Sequence, residues 1–520
     1  MHFSVQRLLY AAACGGGGDH AQRGKLVSNR WYHYRQLGSG EVRAPHRDGA
    51  RGKAAEVGQN RDARAETTSS ATHARQAPTG TLSRRAILRA AGIGVRGFAL
   101  AGVLAACGTG TSQPAAAPGT VKFVDNSNSS QQPRVQGYIS AFQKSSGIAV
   151  SLVSIENYYT SNIEAMVSAG VPPDVLFVSR AEYDALFPVN KLADLQPYLQ
   201  SSPQSAPAFF PIALAEWQHS GKQYAMPLGI RTQAVAFNVG LFAQNKLKTP
   251  PTAWTDPGWT IPDFSNGAFA ASQAGTASQD PNYGFYVDPV YLVWSAFVIN
   301  AGGTVVNEQN RTIDVDQPPA IEALTVLQNV MLKPGVLPPN DLVSADGGID
   351  LFANGNLAMT ITDSSTIGSR QRQSHFLWDT GVMPSGAGGR FTTGTGAGYA
   401  LVVGSKNADK AWKLVDYLTG DAVQKQEAPV GEWIPSRSAV ANSAAFLPEM
   451  NNVDLSPQHA RVFVDAISAN KVKLQPALAN WQAVRAALEA GIQGLWTGAL
   501  TPAAAAAQMK KLAEPILKQG

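Results

Sequence analysis

Side chains able to run a reaction are present in this 520-residue chain, but not in the patterns that reactions need. A serine hydrolase puts its nucleophile on a GxSxG elbow, a zinc peptidase carries HExxH, and a P-loop carries GxxxxGK with Ser or Thr. None of these occurs. The three histidines after Cys107 (His219, His375 and His459) stand far apart, so solvated surface positions are expected rather than metal ligation. Asp314 and Asp316 have acid–base potential, yet they stand just before Pro318-Pro319 and read as a loop ahead of a helix. Gly394-Thr395-Gly396-Ala397-Gly398 looks able to cradle a phosphate, but it departs from GxGxxG and precedes a strand, so a hinge or turn is expected. Tyr158-Tyr159 could offer tyrosinates to iron, without the neighbouring His or carboxylates such a site wants. No catalytic residue, metal site or cofactor is assigned.

One side chain stands in a pattern that implies chemistry done to it. Leu104-Ala105-Ala106-Cys107 looks like a bacterial lipobox. Small residues before the cysteine open the backbone to a peptidase, and the thiol is nucleophilic enough to accept diacylglycerol. Upstream, Ser83-Arg84-Arg85-Ala86-Ile87-Leu88 resembles a twin-arginine export signal, followed by a Gly/Ala-rich apolar stretch. The uncharged run Gly97–Ala106 has 10 residues, half of the roughly 20 that a membrane span needs. Residues 81–106 therefore read as a cleaved signal, Cys107 as the lipidation site, and 107–120 as a flexible Gly/Thr/Ser/Pro tether. The product would sit on the outer face of the cytoplasmic membrane. Residues 1–80 lack apolar periodicity and read as a disordered basic tail or as sequence upstream of the true start.

Charge supports this division. Residues 1–106 carry 16 Lys+Arg against 6 Asp+Glu, while 107–520 carry 26 against 31. The basic excess belongs to the leader, so the folded part has no nucleic-acid footprint. Two cysteines, Cys14 and Cys107, make neither a CxxC zinc pair nor a disulfide scaffold.

From Val121 the chain alternates strand and helix patterns. Strands are expected at Val121–Asp125, Ile148–Ile155, Val175–Val178, Ala234–Asn238, Leu357–Thr362, Gly381–Met383 and Tyr399–Val403. Helices are expected at Val135–Ser145, Ile163–Ala169, Tyr291–Asn300, Ala320–Met331, Ala408–Thr419 and in the tail from Pro457. The Pro/Trp-rich stretch Thr249–Phe264 reads as loop. The alternation predicts an α/β fold with a parallel, helix-wrapped sheet.

The order of motifs resembles the bacterial extracellular solute-binding proteins of ABC importers, family 1, which include the maltodextrin-binding proteins. The resemblance rests on Gly170-Val-Pro-Pro-Asp174, Gly221-Lys-Gln-Tyr224-Ala-Met-Pro227, Val235-Ala-Phe237-Asn238 and Trp294 through Gly302-Gly303. It continues through Leu351-Phe352-Ala-Asn-Gly355, Met383-Pro384, Ala411-Trp412 and Asn480-Trp481-Gln-Ala-Val-Arg485. It implies a two-lobe periplasmic-binding-protein-like fold with the ligand cleft between lobes joined by crossing hinge segments. One lobe would hold 121–229 and 394–433, the other 232–391 and 437–520. It implies a monomeric, non-enzymatic receptor that takes up a carbohydrate, closes on it and hands it to an ABC permease. Receptors for another small polar solute such as a polyamine, a sensor, or a secreted enzyme on the same frame remain the alternatives.

The resemblance also nominates ligand-binding residues. A sugar wants flat aromatic surface for its C–H faces and paired polar groups for its hydroxyls. Trp481 and Tyr291 fall where the maltodextrin binders stack aromatics on sugar. Arg231 stands where those proteins carry a carboxylate, a departure that would suit an acidic ligand. Trp433 precedes a presumed crossing, and Asp363 follows a strand where the family carries a stacking Trp. Asp125 and Asn126 end the first strand, and Glu182 follows the third, at the carboxyl ends where ligands usually sit.

Overall fold

A computed structural model describes residues 117–157, 159–201, 206–273, 283–286, 290–337, 351–365, 375–446 and 457–519. Cys107, the export signal, residues 1–80 and Tyr158 lie outside these residues. So does most of the tether.

From Val121 the chain runs through three strand–helix units. Strand β1 (Val121–Asp125) lies between β2 (Val150–Ser154) and β3 (Val175–Val178), parallel to both. Helix α1 (Gln132–Ser146) has Pro133 in its first turn and stops at Gly147, whose φ of 70° is the left-handed cap that glycine adopts without strain. It buries Tyr138, Ile139 and Phe142, spaced so that they share one face. Helix α2 (Tyr159–Ser168) follows β2, and α3 (Arg180–Leu186) follows β3. The Tyr159 hydroxyl lies 3.0 Å from both the Val124 and Phe177 carbonyls, and burial raises its proton affinity well above normal. That phenol ties β1 to β3 and offers no tyrosinate to iron.

Beyond β3 the sheet ceases to be parallel. Strand β4 (Met226–Asn238) is 13 residues long, and β8 (Thr392–Leu401) runs antiparallel to it and to β3. Strand β6 (Leu357–Asp363) is antiparallel to β4 and parallel to β5 (Tyr283–Phe285). The main path is β2-β1-β3-β8-β4-β6-β5, with β7 (Trp378–Gly381) and β9 (Ile434–Pro435) also on β4 and β10 (Val472–Leu474) on β8. The expected all-parallel sheet is thus a mixed one. Two long strands return against the parallel set, and in that arrangement they can pass from one half of the molecule to the other.

Two separate apolar cores flank that passage. One gathers β1, β2, β3, Met226, Ala397–Val402 and the helix α8 (Ala408–Leu418). The other gathers Ile230, Ala234–Phe237, α5 (Ile261–Gln273), α6 (Tyr291–Asn300), α7 (Pro318–Leu332), β6, and the C-terminal helices α10 (Arg461–Ser468), α11 (Trp481–Trp496) and α12 (Pro502–Leu517). Phe210 and Ala213, at helix α4 (Pro211–Ala215), and Ala428, just after helix α9 (Asp421–Glu427), join this second core. The cores meet where β4 passes Gly229–Thr232, β8 passes Gly394–Gly396, and β9 runs beside β4.

Several local readings shift. Gly394–Gly398 lies inside β8 and is neither a turn nor a phosphate loop. The stretch expected as loop to Phe264 turns helical at Ile261. The strand expected at Gly381–Met383 is Trp378–Gly381. In the strands, pairing overrode local glycine signals.

Glycine at the crossing follows from spacing. A Cβ on Gly229 would lie 2.5 Å from the Trp433 Cβ and 2.8 Å from the Ile434 carbonyl oxygen. Backbone cannot yield as a flexible side chain can. Gly229→Ala is therefore expected to lower stability by about 1–3 kcal/mol, read as a lower urea midpoint with an unchanged slope. An unchanged midpoint would mean that β9 is not held this close.

Candidate functional site

The geometry of β8 makes a gap. Its edge away from β4 pairs with β10 from Thr392 to Gly394 and with β3 from Gly398 to Leu401. Between them, Thr395–Ala397 have no strand on that side among the described residues. The strand β3 is antiparallel to β8 and β10 is parallel to it, so their carboxyl ends face each other across this gap. Carboxyl ends of parallel strands are where ligands sit in open α/β sheets, and here two such ends converge from the two cores.

The residues just past those ends fill the gap. Ser179 caps α3: its hydroxyl accepts from the Ala181 amide, and the Glu182 carboxylate accepts from the Ser179 amide and hydroxyl at 2.8 and 2.6 Å. This fixes Arg180 on the first turn. Arg180 pairs with Asp184 one turn on at 2.7 Å, with both side chains buried. Each then reaches into the other half. Arg180 donates to the Pro476 carbonyl at 2.9 Å, and Asp184 accepts from Gln482 at 3.1 Å. Burial lifts the Asp184 carboxyl to about 6, against the lowering pull of Arg180.

Glu216 occupies the floor. One carboxylate oxygen accepts from Thr395 at 3.3 Å. The other, Oε2, is buried with no hydrogen bond of good geometry among the described residues. Burial pushes this carboxyl up to about 7, with the Gly396 amide, Arg180 and the Thr395 hydroxyl pulling the other way. A Cβ on Gly396 would lie 2.4 Å from Oε2, so glycine there is what admits the carboxyl. Gln475, just after β10, donates to Thr395 at 3.3 Å and accepts from the Trp481 indole at 2.8 Å. One connected set thus runs from Glu216 through Thr395 and Gln475 to Trp481.

Of the nominated residues, Trp481 and Tyr291 come together. Their rings are 4.8 Å apart at 75°, both buried. Rings at that angle form a corner, not two parallel walls. Arg231 and Trp433 also meet: the guanidinium sits 3.9 Å over the indole, donates to the Glu432 carbonyl at 3.0 Å, and lies 3.5 Å from the Glu432 carboxylate. Gln131 donates to the other Glu432 oxygen at 3.1 Å. Arg231 pairs in register with Thr395, which places both on one face of the crossing strands. The positive charge expected to await an acidic ligand is therefore already matched by a carboxylate.

The remaining nominees stand apart. Glu182 is occupied by the α3 cap and the Thr160 hydroxyl. Asp125 is buried and accepts from Ser127, with burial raising its pKa, while Asn126 is exposed. Asp363 ends β6 and accepts from the amide and hydroxyl of Ser365. The histidines expected as isolated are less so: His219 packs its ring 4.9 Å from Phe187, and His459 lies 2.5 Å from Asp379 while half exposed. Among the described residues, no group of three or more His, Cys, Asp or Glu is placed to hold a metal, and no helix is long and apolar enough to cross a membrane.

Arg180, Asp184, Glu216, Thr395, Gln475 and Gln482 escaped sequence reasoning. A signal existed for two of them. Arg180 stands two residues past the apolar run Val175–Val178, and Glu216 interrupts an otherwise apolar stretch from Phe209 to Trp217.

The sequence profile described as bacterial extracellular solute-binding protein matches residues 137–451. The chain belongs to this family. Its members are binding proteins and not enzymes, and they work outside the cytoplasm. A Brucella abortus protein named as a binding protein is 24% identical over 307 residues, covering 58% of this chain and 69% of its own. Among solved structures, an ABC substrate-binding protein of Listeria monocytogenes in complex with cycloalternan is 19% identical with a TM-score of 0.63, covering 77% of this chain and 98% of its own. UgpB of Mycobacterium tuberculosis, in complex with glycerophosphocholine, is 16% identical with a TM-score of 0.64, covering 78% and 99%. These likenesses establish the two-lobe α/β fold of solute-binding proteins for this chain.

Proposed function

We propose that this family member is the substrate-binding subunit of an ABC importer, and that it captures a carbohydrate between its two cores. The observation that carries this is the connected set at the crossing: an aromatic corner of Tyr291 and Trp481 beside Gln475, Thr395, Glu216 and the Arg180–Asp184 pair. Such a corner covers C–H surface, and the amides and carboxylates match hydroxyls, which is the complementarity a sugar demands. Trp433 and Arg231 would border the same ligand. Asp363, Glu182, Asp125 and Asn126 would lie outside its direct contacts, since the first three have local structural partners.

The bonds from Arg180 to Pro476 and from Gln482 to Asp184 span the cleft, so this is the closed conformation. Opening would break both and separate Gln475 from Thr395, bending at the crossings. Ligand would draw the equilibrium to the closed form by binding it better. Export through the signal at 81–106 and lipidation of Cys107 would hold this monomer beside its permease.

The test is a thermal-shift screen against mono-, di- and oligosaccharides, polyols, amino acids and polyamines. A ligand at 100 times its Kd adds about 2.7 kcal/mol of stability. A shift confined to sugars supports the proposal. Stabilisation by amino acids or polyamines alone would replace the carbohydrate with another solute, and turnover of glycosides would replace the receptor with an enzyme. The anchor has its own check: Cys107→Ser should release the protein from membranes, and persistent membrane association would dispose of it.

A further inference from the structure

Ion pairs hold several of the arginines around the crossing, and Glu216 is in none of them. Arg180 is matched by Asp184, Arg231 by Glu432 at 3.5 Å, and Arg134 by Glu427 at 2.9 Å. On the second half, Arg485 lies 3.8 Å from Glu489. Glu216 has no cation within ion-pairing distance among the described residues. The charged groups that act on it are both on α3, Arg180 and Asp184, and these already pair with each other. The elements packed against it from β8 present only the neutral Thr395 and Gly396.

Hydrogen bonding singles out the same residue. Among the described residues, Glu216 Oε2 is the one buried carboxylate oxygen without a hydrogen bond of good geometry, the Gly396 amide being the nearest donor that acts on the carboxyl. A buried carboxylate left in this state is unfavourable, and two remedies exist: it takes up a proton, or it meets a cation. A neutral hydroxyl would satisfy the atom but leave the charge. A protonated amine satisfies both.

We infer that the captured solute is a hydroxyl-rich molecule bearing a protonated amine, an amino sugar by chemical class, and that Glu216 receives the amine. The inference rests on the carbohydrate reading above and narrows it. Opening the cleft draws Gln475 and Trp481 away from Thr395 and uncovers the Glu216 carboxylate for the ligand. Closure then buries amine and carboxylate together.

Matched pairs test it by calorimetric titration of the full chain at pH 7: glucosamine against glucose, and the chitosan disaccharide against cellobiose. The amine member is expected to bind at least about 10-fold more tightly in one pair. Glu216→Gln keeps the shape and removes the charge, so that preference should vanish. Glu216→Asp, which withdraws the charge by one methylene, should reduce it, and covers the case in which the glutamine variant fails to fold. Equal or tighter binding of the neutral members overturns this inference and leaves the carbohydrate reading standing, as does an amine preference that survives in Glu216→Gln. Failure of every sugar, neutral or amine, overturns both.

Discussion

Trp481→Ala is expected to weaken ligand binding by about 100-fold or more and to lower unfolding stability by about 3–5 kcal/mol. The two losses share one cause. The indole is fully buried, packs edge-on to Tyr291, and holds Gln475 through its N–H. Truncation leaves a cavity at the first turn of α11 and frees Gln475 from its orientation toward Thr395. A binding defect could then be only a folding defect, so a second variant is needed. Trp481→Phe retains most of the apolar contact and deletes only the bond to Gln475, worth about 1 kcal/mol. It should stay folded and bind roughly 5- to 10-fold less well. Urea denaturation and calorimetry on both variants separate the contributions. If Trp481→Ala folds and binds like the wild type, this corner is core packing and the ligand sits elsewhere.

The second large effect is a loss of stability with rising pH. Glu216 moves from 4.5 when unfolded to about 7 when folded, and Asp184 from 3.8 to about 6, both chiefly through burial. A carboxyl with a raised folded pKa holds its proton more tightly in the native state. Between about pH 4 and 7 the folded chain therefore binds more protons than the unfolded one. Stability is greatest at the acid end of that window for these groups and declines as pH climbs through it. For Glu216 the decline is on the order of 3 kcal/mol, or about 3–5 °C in Tm for a domain this size. Other carboxyls, such as Asp263 hydrogen-bonded by Thr260 and Asp316 by Lys510, shift downward and work in the opposite sense, but they are near the surface and screened. The difference between wild type and Glu216→Gln isolates the buried group. The variant should gain Tm relative to the wild type from pH 5 to pH 8 in the absence of ligand. A constant difference across that range would mean that Glu216 is solvated or paired in the free protein.

Both predictions turn on residues that the chain's linear order treats unequally. Trp481 was nominated because Asn480-Trp481-Gln-Ala-Val-Arg485 resembles a motif of the solute-binding family, and the structure joins it to Tyr291 and Gln475. Glu216 was not, because nothing in Ala215-Glu216-Trp217 says which strand it will meet. Its partner Thr395 lies 179 positions away. Arg231 was legible as a crossover residue, yet its neutralisation by Glu432, 201 positions on, was not. Glu182 and Asp363 looked like ligand groups by position and are engaged in turns and caps, a use of carboxylates that local sequence pattern also predicts.

Periodicity and punctuation were enough for the individual elements. Helix Tyr291–Asn300 and strands Val121–Asp125 and Val175–Val178 have the bounds expected from apolar spacing. Those signals are local: they depend on 3.6- or 2-residue repeats and on glycine or proline stops. The pairing of β4 with β8 is not local. It joins Gly229 to Ala397 and Arg231 to Thr395, converts an apparent glycine turn into the middle of a 10-residue strand, and creates the edge gap that Glu216 fills. A strand's length reads from its own residues, but its neighbour, its direction and the charge it meets are set by packing across the whole chain. The class of protein was written in motifs along the sequence, while the balance of charge in its cleft arose where distant segments met.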